Sequence, residues 1–570
     1  MLVLALVTAA MQALPSPWTA GPQNLQTTLG PDSARLVRLL RSDQASFERF
    51  RRGRLPQSDG TASGTCDVRI GRYCYWRDDD DDTPPPPEAG EIVARRNSLI
   101  SELESAARTL PGDEWIAGQA VRYLVEANRT DDAWRYATTE CESSRSWCMA
   151  LAGYAAHAAQ RYANADSAFS VALAAMDTAE RCRWLDASSL LDGDLERQFN
   201  NLDCEGRARF ARRLFLLGAP LYSVSTTDLF TEHLSRVTRT RMAEHSAAVD
   251  GQTYADDVAQ LMTRYGWPRW YSRSIPLFGS DQAPSITGHD GARPYNYLPS
   301  LRVMEHVGET SADDWRLDEQ RALTGYAPAY ARSMHVVPGQ LARFRRGDST
   351  LVVAAWDARR DTTMLGRDLD VALVIVPASG PLAIARASNV KTTGHISVTG
   401  LVDSGLVSLE LLAREDRRAS RARVGIVMQP RGSIALSDLL LYSAATTTPN
   451  DLDAVEDSAL ASTVVPATRA VGVFWETYGL PRQGEPVQYT LTVEEINVGF
   501  LRRVAQHLRF ADPASALRIQ WKEVPQPRDG IASRGVRVDL SRLHSGQYHM
   551  QLTLTSEGKS VMASRNVEIR

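Results

Sequence analysis

The residues best suited to chemistry lie in "SITGHDGARPYNYLP", residues 285–299. There His289 stands beside Asp290. An imidazole oriented by a carboxylate is a standard general base for hydrolysis. Tyr295 and Tyr297 follow closely, and "MTRYGWPRWYSR" upstream adds Tyr265, Trp267 and Trp270. Aromatic faces around a His–Asp pair would suit a hydrolase or a carbohydrate-binding site. Against this, neighbours along a strand point to opposite faces, so His289 and Asp290 would pair poorly. The preferred reading is a loop that packs its rings against the "YGWPRW" turn. Gly266 can take a left-handed cap conformation and Pro268 stops a helix soon after. Trp267 and Trp270 are then expected in the joint between a helical half and a β half.

Other chemistry is sparse. The chain has no G-x-S-x-G elbow, H-E-x-x-H, P-loop or G-x-G-x-x-G motif. Its ten His residues are scattered. His233 follows Glu232 on a helix and is expected at a packing interface. No metal site and no cofactor are expected. The Asp78–Asp82 run lacks the spaced ligands, central Gly and twelfth-position Glu of a calcium loop, and reads as a solvated linker. Arg346–Ser349 spell Arg-Gly-Asp-Ser between strand-like runs, where Gly-Asp is first a hairpin turn. Asn128 begins an Asn-Arg-Thr sequon in a helical region and is given no weight. "VFWETYGL" places Phe474 and Trp475 on opposite faces of a strand, with Tyr478 following. A sandwich core with one exposed side is expected, with carbohydrate stacking by Trp475 as the functional alternative.

Six Cys residues, Cys66, Cys74, Cys141, Cys148, Cys182 and Cys204, all precede residue 205. No C-x-x-C pair exists to supply half of a zinc site. Sequential disulfides are preferred: Cys66–Cys74, Cys141–Cys148 and Cys182–Cys204. The second pair requires a turn within "ESSRSW", because seven helical residues would rise about 10 Å. The opening "MLVLALVTAAMQALPS" has the length of a signal-peptide core and is too short to span a bilayer. With the even Cys count it points to an exported, periplasmic, cell-envelope or secreted protein. Net charge is -4, and +1 without the five aspartates of 78–82. Only three basic residues are Lys, and the Arg residues are spread along the whole chain. That argues against a duplex-binding protein and suggests compositional bias rather than phosphate recognition.

The elements that must position these residues fall in a clear order. Residues 1–20 are a signal peptide. Residues 21–90 read as poorly ordered, with a disulfide-closed hairpin "CDVRIGRYC" before an acidic, polyproline linker. Residues 91–250 have apolar positions at three and four spacing and read as helices. Residues 251–334 form a connecting module. Residues 335–445 and 465–570 alternate apolar and polar positions between turn residues, with a linker at 446–464. The fold class is α+β multidomain: helical repeats, then antiparallel β-sandwiches. A Leu-x-x-Gly-x-Tyr corner at Leu543–Tyr548 gives the last one an immunoglobulin-like or fibronectin-like look.

Two resemblances follow from particular residues. "MALAGYAAHAAQRYANADSAFSVALAAM" resembles the tetratricopeptide repeat. Ala152 and Gly153 fall where two helices approach, Ala165, Phe169 and Ala172 on the second helix, and Tyr162 near the turn. Ala133 precedes Ala165 by 32 residues, close to the period such repeats need. The resemblance implies stacked helical hairpins and a surface for a peptide or protein partner. Further along, Phe215, Pro220, Glu232, His233 and Arg236, then Arg264, Tyr265, Gly266 and Pro268, resemble the GWxTD-domain family of exported bacterial proteins. The Gly-Trp-x-Thr-Asp motif itself is absent, with "DGQTYADD" in its place. That family implies no activity. The sequence therefore points to an exported, non-enzymatic scaffold binding a peptide or protein partner, without nucleic acid.

Overall fold

In the computed structural model the described residues are 30–55, 68–71, 73–75, 87–267, 270–274, 285–289, 295–317, 324–428, 432–444, 448–466, 470–480, 485–496 and 517–570. The chain divides into two units. The first holds residues 1–220, 225–298 and 318–327; the second holds 221–224, 299–317 and 328–570.

The first unit is helical. Its helices are α1 (Pro31–Arg52), α2 (Gly90–Thr109), α3 (Glu114–Glu126), α4 (Thr130–Arg135), α5 (Arg145–Ala158), α6 (Tyr162–Ala175), α7 (Thr178–Trp184), α8 (Gly193–Asn200), α9 (Cys204–Gly218), α10 (Asp228–Ala243) and α11 (Asp256–Tyr265). Two short hairpins accompany them: β1 (Val68–Ile70) with β2 (Tyr73–Tyr75), and β3 (Trp270–Ser274) with β4 (Ser285–His289). The expected hairpin at 66–74 is thus present in its strands, while Cys66 lies outside the described residues.

One expectation needs correcting. Residues 21–90 are not poorly packed throughout, because α1 occupies 22 of them. It was hidden because its inward face is polar. Gln44, Glu48 and Arg51 are buried alongside Phe47 and Leu40. A hydrophobicity pattern cannot register burial that is offset by charge pairing.

The α3–α4 and α5–α6 hairpins share one turn. Asn128 and Gln160 both adopt left-handed backbone at the ends of α3 and α5. The next amides, of Arg129 and Arg161, each reach back 2.9 Å to the carbonyls of Leu124 and Ala156. This is the Schellman closure, and Asn is among the residues that tolerate it. Asn128 therefore serves as a helix stop. Ala133 and Ala165 are both fully buried after these turns. Gly153 on α5 lets α6 approach: a Cβ there would lie 2.8 Å from the Phe169 ring. At the positions 32 residues earlier the bulk is reversed, with Val121 and Ala137.

Two disulfides tie the helices. Cys141 and Cys148 have Cα atoms 5.8 Å apart, and Cys182 and Cys204 5.5 Å. The turn required in "ESSRSW" is present: a π-helical segment, Tyr136–Glu140, ends before Cys141, and Ser144 caps α5. Cys141, Cys148, Cys182 and Cys204 are thus all disulfide-bonded.

The second unit is built of antiparallel β-sandwiches. Its first set of strands is β5 (Ser333–Val336), β6 (Gly339–Arg346), β7 (Ser349–Asp357), β8 (Leu369–Pro377), β9 (Ala383–Val390), β10 (Thr393–Gly400), β11 (Ser404–Ala413) and β12 (Arg418–Val427). They form sheets in the orders β10-β7-β6 and β5-β12-β11-β8-β9, with only β5 parallel to its neighbour. Between the sheets sit Val352, Trp356, Leu373, Ile375 and Leu409. Gly347–Asp348 are the two-residue turn of the β6–β7 hairpin, as the Arg-Gly-Asp-Ser stretch suggested.

The second set is β13 (Ala435–Leu436), β14 (Leu440–Ser443), β15 (Val464–Val465), β16 (Ala470–Tyr478), β17 (Val487–Glu495), β18 (Leu517–Glu523), β19 (Ile531–Asp539), β20 (Gly546–Ser556) and β21 (Lys559–Ile569). One sheet centres on β16, flanked by β13, β14 and β19; the other runs β15-β21-β20-β17-β18. Trp475, Tyr489, Leu491, Met550 and Leu552 fill the core between them. The Tyr548 hydroxyl donates 2.9 Å to the His544 carbonyl, closing the corner anticipated from Leu-x-x-Gly-x-Tyr.

The expected boundaries shift accordingly. Residues 435–443 pair with β16, so they belong to the second sandwich and not to 335–445. The 446–464 segment is more than a linker, since Leu452 and Val455 are buried against Phe344 and Phe474. Residues 299–317 and 328–334 group with the β unit rather than with a separate 251–334 module. Glu410 on β11 anchors one returning segment, accepting amides from Tyr222 (3.0 Å) and Ser223 (2.9 Å). Arg423 on β12 lies over Tyr222 (4.3 Å) and Trp315 (5.6 Å).

Gly153→Ala is expected to lower unit-one stability by about 1–3 kcal/mol through overpacking, read from urea midpoints. Phe169→Leu in the same chain should recover part of the loss. An unchanged midpoint in Gly153→Ala would refute the close approach. Replacing Cys141 and Cys148 by Ser should cost about 2–4 kcal/mol, checked by calorimetry.

Candidate functional site

A cleft in the helical unit is the best-formed candidate. It encloses about 730 Å³ between α1, α7, the end of α10 and residues 244–254. From α1 come Ala45, Arg49 and Arg52; from α7, Glu180, Arg183 and Trp184; from α10, Val237 and Arg241. Glu244, His245 and Tyr254 complete the rim. Arg52 donates through Nε to the Val249 carbonyl at 2.7 Å. Arg241 bridges Glu180 (2.9 Å) and Glu114 (2.6 Å). Burial raises the Glu244 carboxyl above its ordinary value, against the pull of Arg241 and His245.

Behind the cleft lies a buried charge network. Glu48, which also lines the cleft, accepts from Arg122 (2.8 Å) and from the Tyr123 hydroxyl (2.7 Å). Glu126 accepts from Arg122 (3.1 Å), Arg239 (2.5 Å) and Arg51 (3.0 Å). The two carboxyls are pushed apart. Burial dominates at Glu48 and raises it despite Arg122. Burial also opposes the Glu126 charge, but Arg122, Arg239 and Arg51 together hold that carboxyl far below the usual range. Arg239 is lowered by burial and by Arg122. Gln44 completes the wall: its amide donates to the Ala247 carbonyl and accepts from the Ala247 amide, both at 2.9 Å.

The aromatic residues singled out in the sequence do not form a rim. Tyr265 is buried at the end of α11, and Tyr295 and Tyr297 are interior, with ring centroids 5.8 Å apart. Rings packed inside cannot stack on a ligand, so these three are corrected from binding to core residues. Trp267 is half-buried and lies over the guanidinium of Arg239 (4.1 Å) and of Arg122 (5.4 Å). It therefore covers the buried charge network, a cation–π contact inside the helical unit. Trp270 and His289 face each other in the β3–β4 register, and Asp290 and the side chains of Trp270 and His289 lie outside the described residues. Trp475 is fully buried against Tyr489 (5.5 Å), which removes the carbohydrate-stacking alternative there. Phe474, on the opposite face, is also buried, so β16 has no exposed side.

The residues Glu232, Arg236 and Gly266 do converge, with a different role. Gly266 has φ +78 and its amide returns 2.9 Å to the Met262 carbonyl. Arg236 donates to the carbonyls of Arg264 (2.6 Å) and Gly325 (2.5 Å), capping the C-terminus of α11, and pairs with Glu232 at 2.5 Å. Glu232 also holds His157 Nε2 at 2.6 Å. His233 stacks on Phe215 at 5.0 Å, and burial pushes its imidazole down to about 4. This is the packing interface anticipated for it.

Sequence reasoning missed Glu48, Arg122, Glu126 and Arg239, because charged residues inside helical stretches look like solvated faces. Among the described residues no three His, Cys, Asp or Glu side chains converge as a metal set, and no helix is long and apolar enough to cross a membrane.

No family model matches the chain, and no curated protein matches it. Among solved structures, the chicken CNTN1 FN1–FN3 domains align over 42% of this chain and 69% of that one, at 9% identity and TM-score 0.15. Red sea bream transglutaminase aligns over 41% of this chain and 32% of that one, at 14% identity and TM-score 0.13. Superpositions this distant carry no weight for function.

His233 yields a pH prediction. Its folded value near 4 is below the ordinary 6.5, so the unfolded chain takes up the proton first as pH falls. Its contribution is complete above about pH 6.5 and is lost on approach to pH 4. His233→Leu should therefore lose about 2–3 kcal/mol less stability than wild type between pH 7 and pH 4.5. Parallel urea midpoints at the two pH values would reveal it; equal losses would contradict it.

Proposed function

We propose that this is an exported, non-enzymatic scaffold whose helical unit holds a peptide or protein partner. The observation that carries the reading is the 730 Å³ cleft, a ligand-sized cavity that reaches the buried charge network at Glu48. Pre-formed walls lower the ordering cost of binding. The repeated turns of α3–α4 and α5–α6 support a tetratricopeptide-like origin for this unit. The cluster around Arg236 and Gly266 is in keeping with a distant relationship to the GWxTD-domain family. Two disulfides support an oxidising compartment outside the cytosol. The tandem sandwiches suit a spacer or envelope-docking module. A hydrolase or carbohydrate site at Tyr265–Asp290 is less favoured, because Tyr265, Tyr295 and Tyr297 are interior.

The test is peptide display against the full-length protein, followed by titration of the selected peptides. Ala45→Trp, which fills the cleft from α1, should weaken selected peptides at least about tenfold without lowering the melting temperature. Selection that yields no binder, or binders indifferent to Ala45→Trp, would overturn the proposal.

A further inference from the structure

We infer that the occupant of the cleft is a short extended segment in which acidic and apolar residues alternate. This rests on the reading of the cleft as a peptide site and adds the chemistry of the partner.

The argument is one of uncompensated charge. Four arginines line the cleft against three glutamates. Two of those glutamates are already committed: Glu48 to Arg122 at 2.8 Å and Glu180 to Arg241 at 2.9 Å. Arg52 spends its hydrogen bonds on the Val249 and Ala248 carbonyls, which leaves its positive charge unneutralised. Arg49 and Arg183 make no side-chain hydrogen bond or ion pair among the described residues. Glu244 alone opposes these three cations. Arg49 and Arg52 sit three apart on α1, so both project from one face of that helix. Arg183 reaches the same cavity from α7. A carboxylate-bearing ligand would meet guanidinium groups from two helices, the geometry Arg favours for carboxylates.

The floor is apolar. Trp184 and Val237 are buried there, and Ala45 and Ala248 are half-buried beside them. From Ala45 to Arg52 the cleft follows α1 for about 10 Å. That length suits three or four extended residues at roughly 3.3 Å each. In an extended chain alternate side chains point to opposite sides. One set can then lie on Trp184 and Val237 while the other meets the arginines. A uniformly acidic ligand would leave the floor uncovered, and an apolar one would leave three guanidinium charges unmatched.

The experiment uses the full-length protein and three capped hexapeptides: alternating glutamate and leucine, glutamine and leucine, and lysine and leucine. The glutamate peptide should bind at least about tenfold more tightly than the glutamine peptide, with an advantage that shrinks from about 50 mM to about 500 mM salt. The double substitution Arg49→Gln and Arg183→Gln should remove most of that advantage. Arg49→Glu with Arg183→Glu should transfer the preference to the lysine peptide. Equal binding of the glutamate and glutamine peptides, still blocked by Ala45→Trp, would overturn this inference and leave the peptide site standing. Displacement of the glutamate peptide by equimolar succinate would overturn it in favour of a small anion. Binding of none of the three, together with failure of the display selection, would remove both.

Discussion

The pairing of Glu48 and Glu126 with Arg122 and Arg239 is the interaction on which the helical unit depends. Charges taken out of water are costly unless met by opposite charge and hydrogen bonds. Here α1 supplies Glu48 and Arg51, α3 supplies Arg122 and Glu126, and α10 supplies Arg239. Three helices distant in sequence are thereby held in one arrangement. Glu126 is the shared partner of Arg51, Arg122 and Arg239, so its loss would leave buried guanidinium charge uncompensated, a penalty of about 3–5 kcal/mol. Trp267 closes the network from above. The cleft touches this network at Glu48.

The β unit uses the same device at other places. Glu410 gathers the amides of Tyr222 and Ser223 onto the sheet, and Arg423 stacks on Tyr222. Arg343 makes a two-pronged contact with Asp438, and Arg346 another with Glu476, at 2.7 and 2.9 Å in each case. These planar pairs join the strands of the first sandwich to those of the second. Lys could not make them, since they need the guanidinium fork. An Arg-rich, Lys-poor composition therefore has structural consequences wherever Arg is buried. The Arg of the Arg-Gly-Asp stretch is one of these ties.

Much of the architecture was legible in the sequence. Alternating runs placed the strands of both sandwiches, and Tyr548 marked its corner. Ala152 and Gly153 marked a close helix approach, and Ala133 and Ala165 a spacing of 32 residues. The Cys141–Cys148 and Cys182–Cys204 pairs followed from an even count and short spacings. What misled was polarity. Gln44 and Glu48 disguised α1 as a loosely packed segment. Phe474 and Trp475 were read as having one solvent face, although sheets cover both.

The sequence by itself determined the elements, because periodicity, turn residues and caps act over a few neighbours. Only the tertiary structure decided which charges pair, because Glu48 and Arg122 are 74 residues apart and no local rule couples them. It likewise decided that Tyr265, Gly266 and Trp267 are architecture: Gly266 ends α11, Arg236 caps it, and Trp267 lies on Arg239. The cleft belongs to the same category: Arg49 and Arg183 are ordinary helix residues in the sequence, and only the packing of α1 and α7 brings them to one cavity.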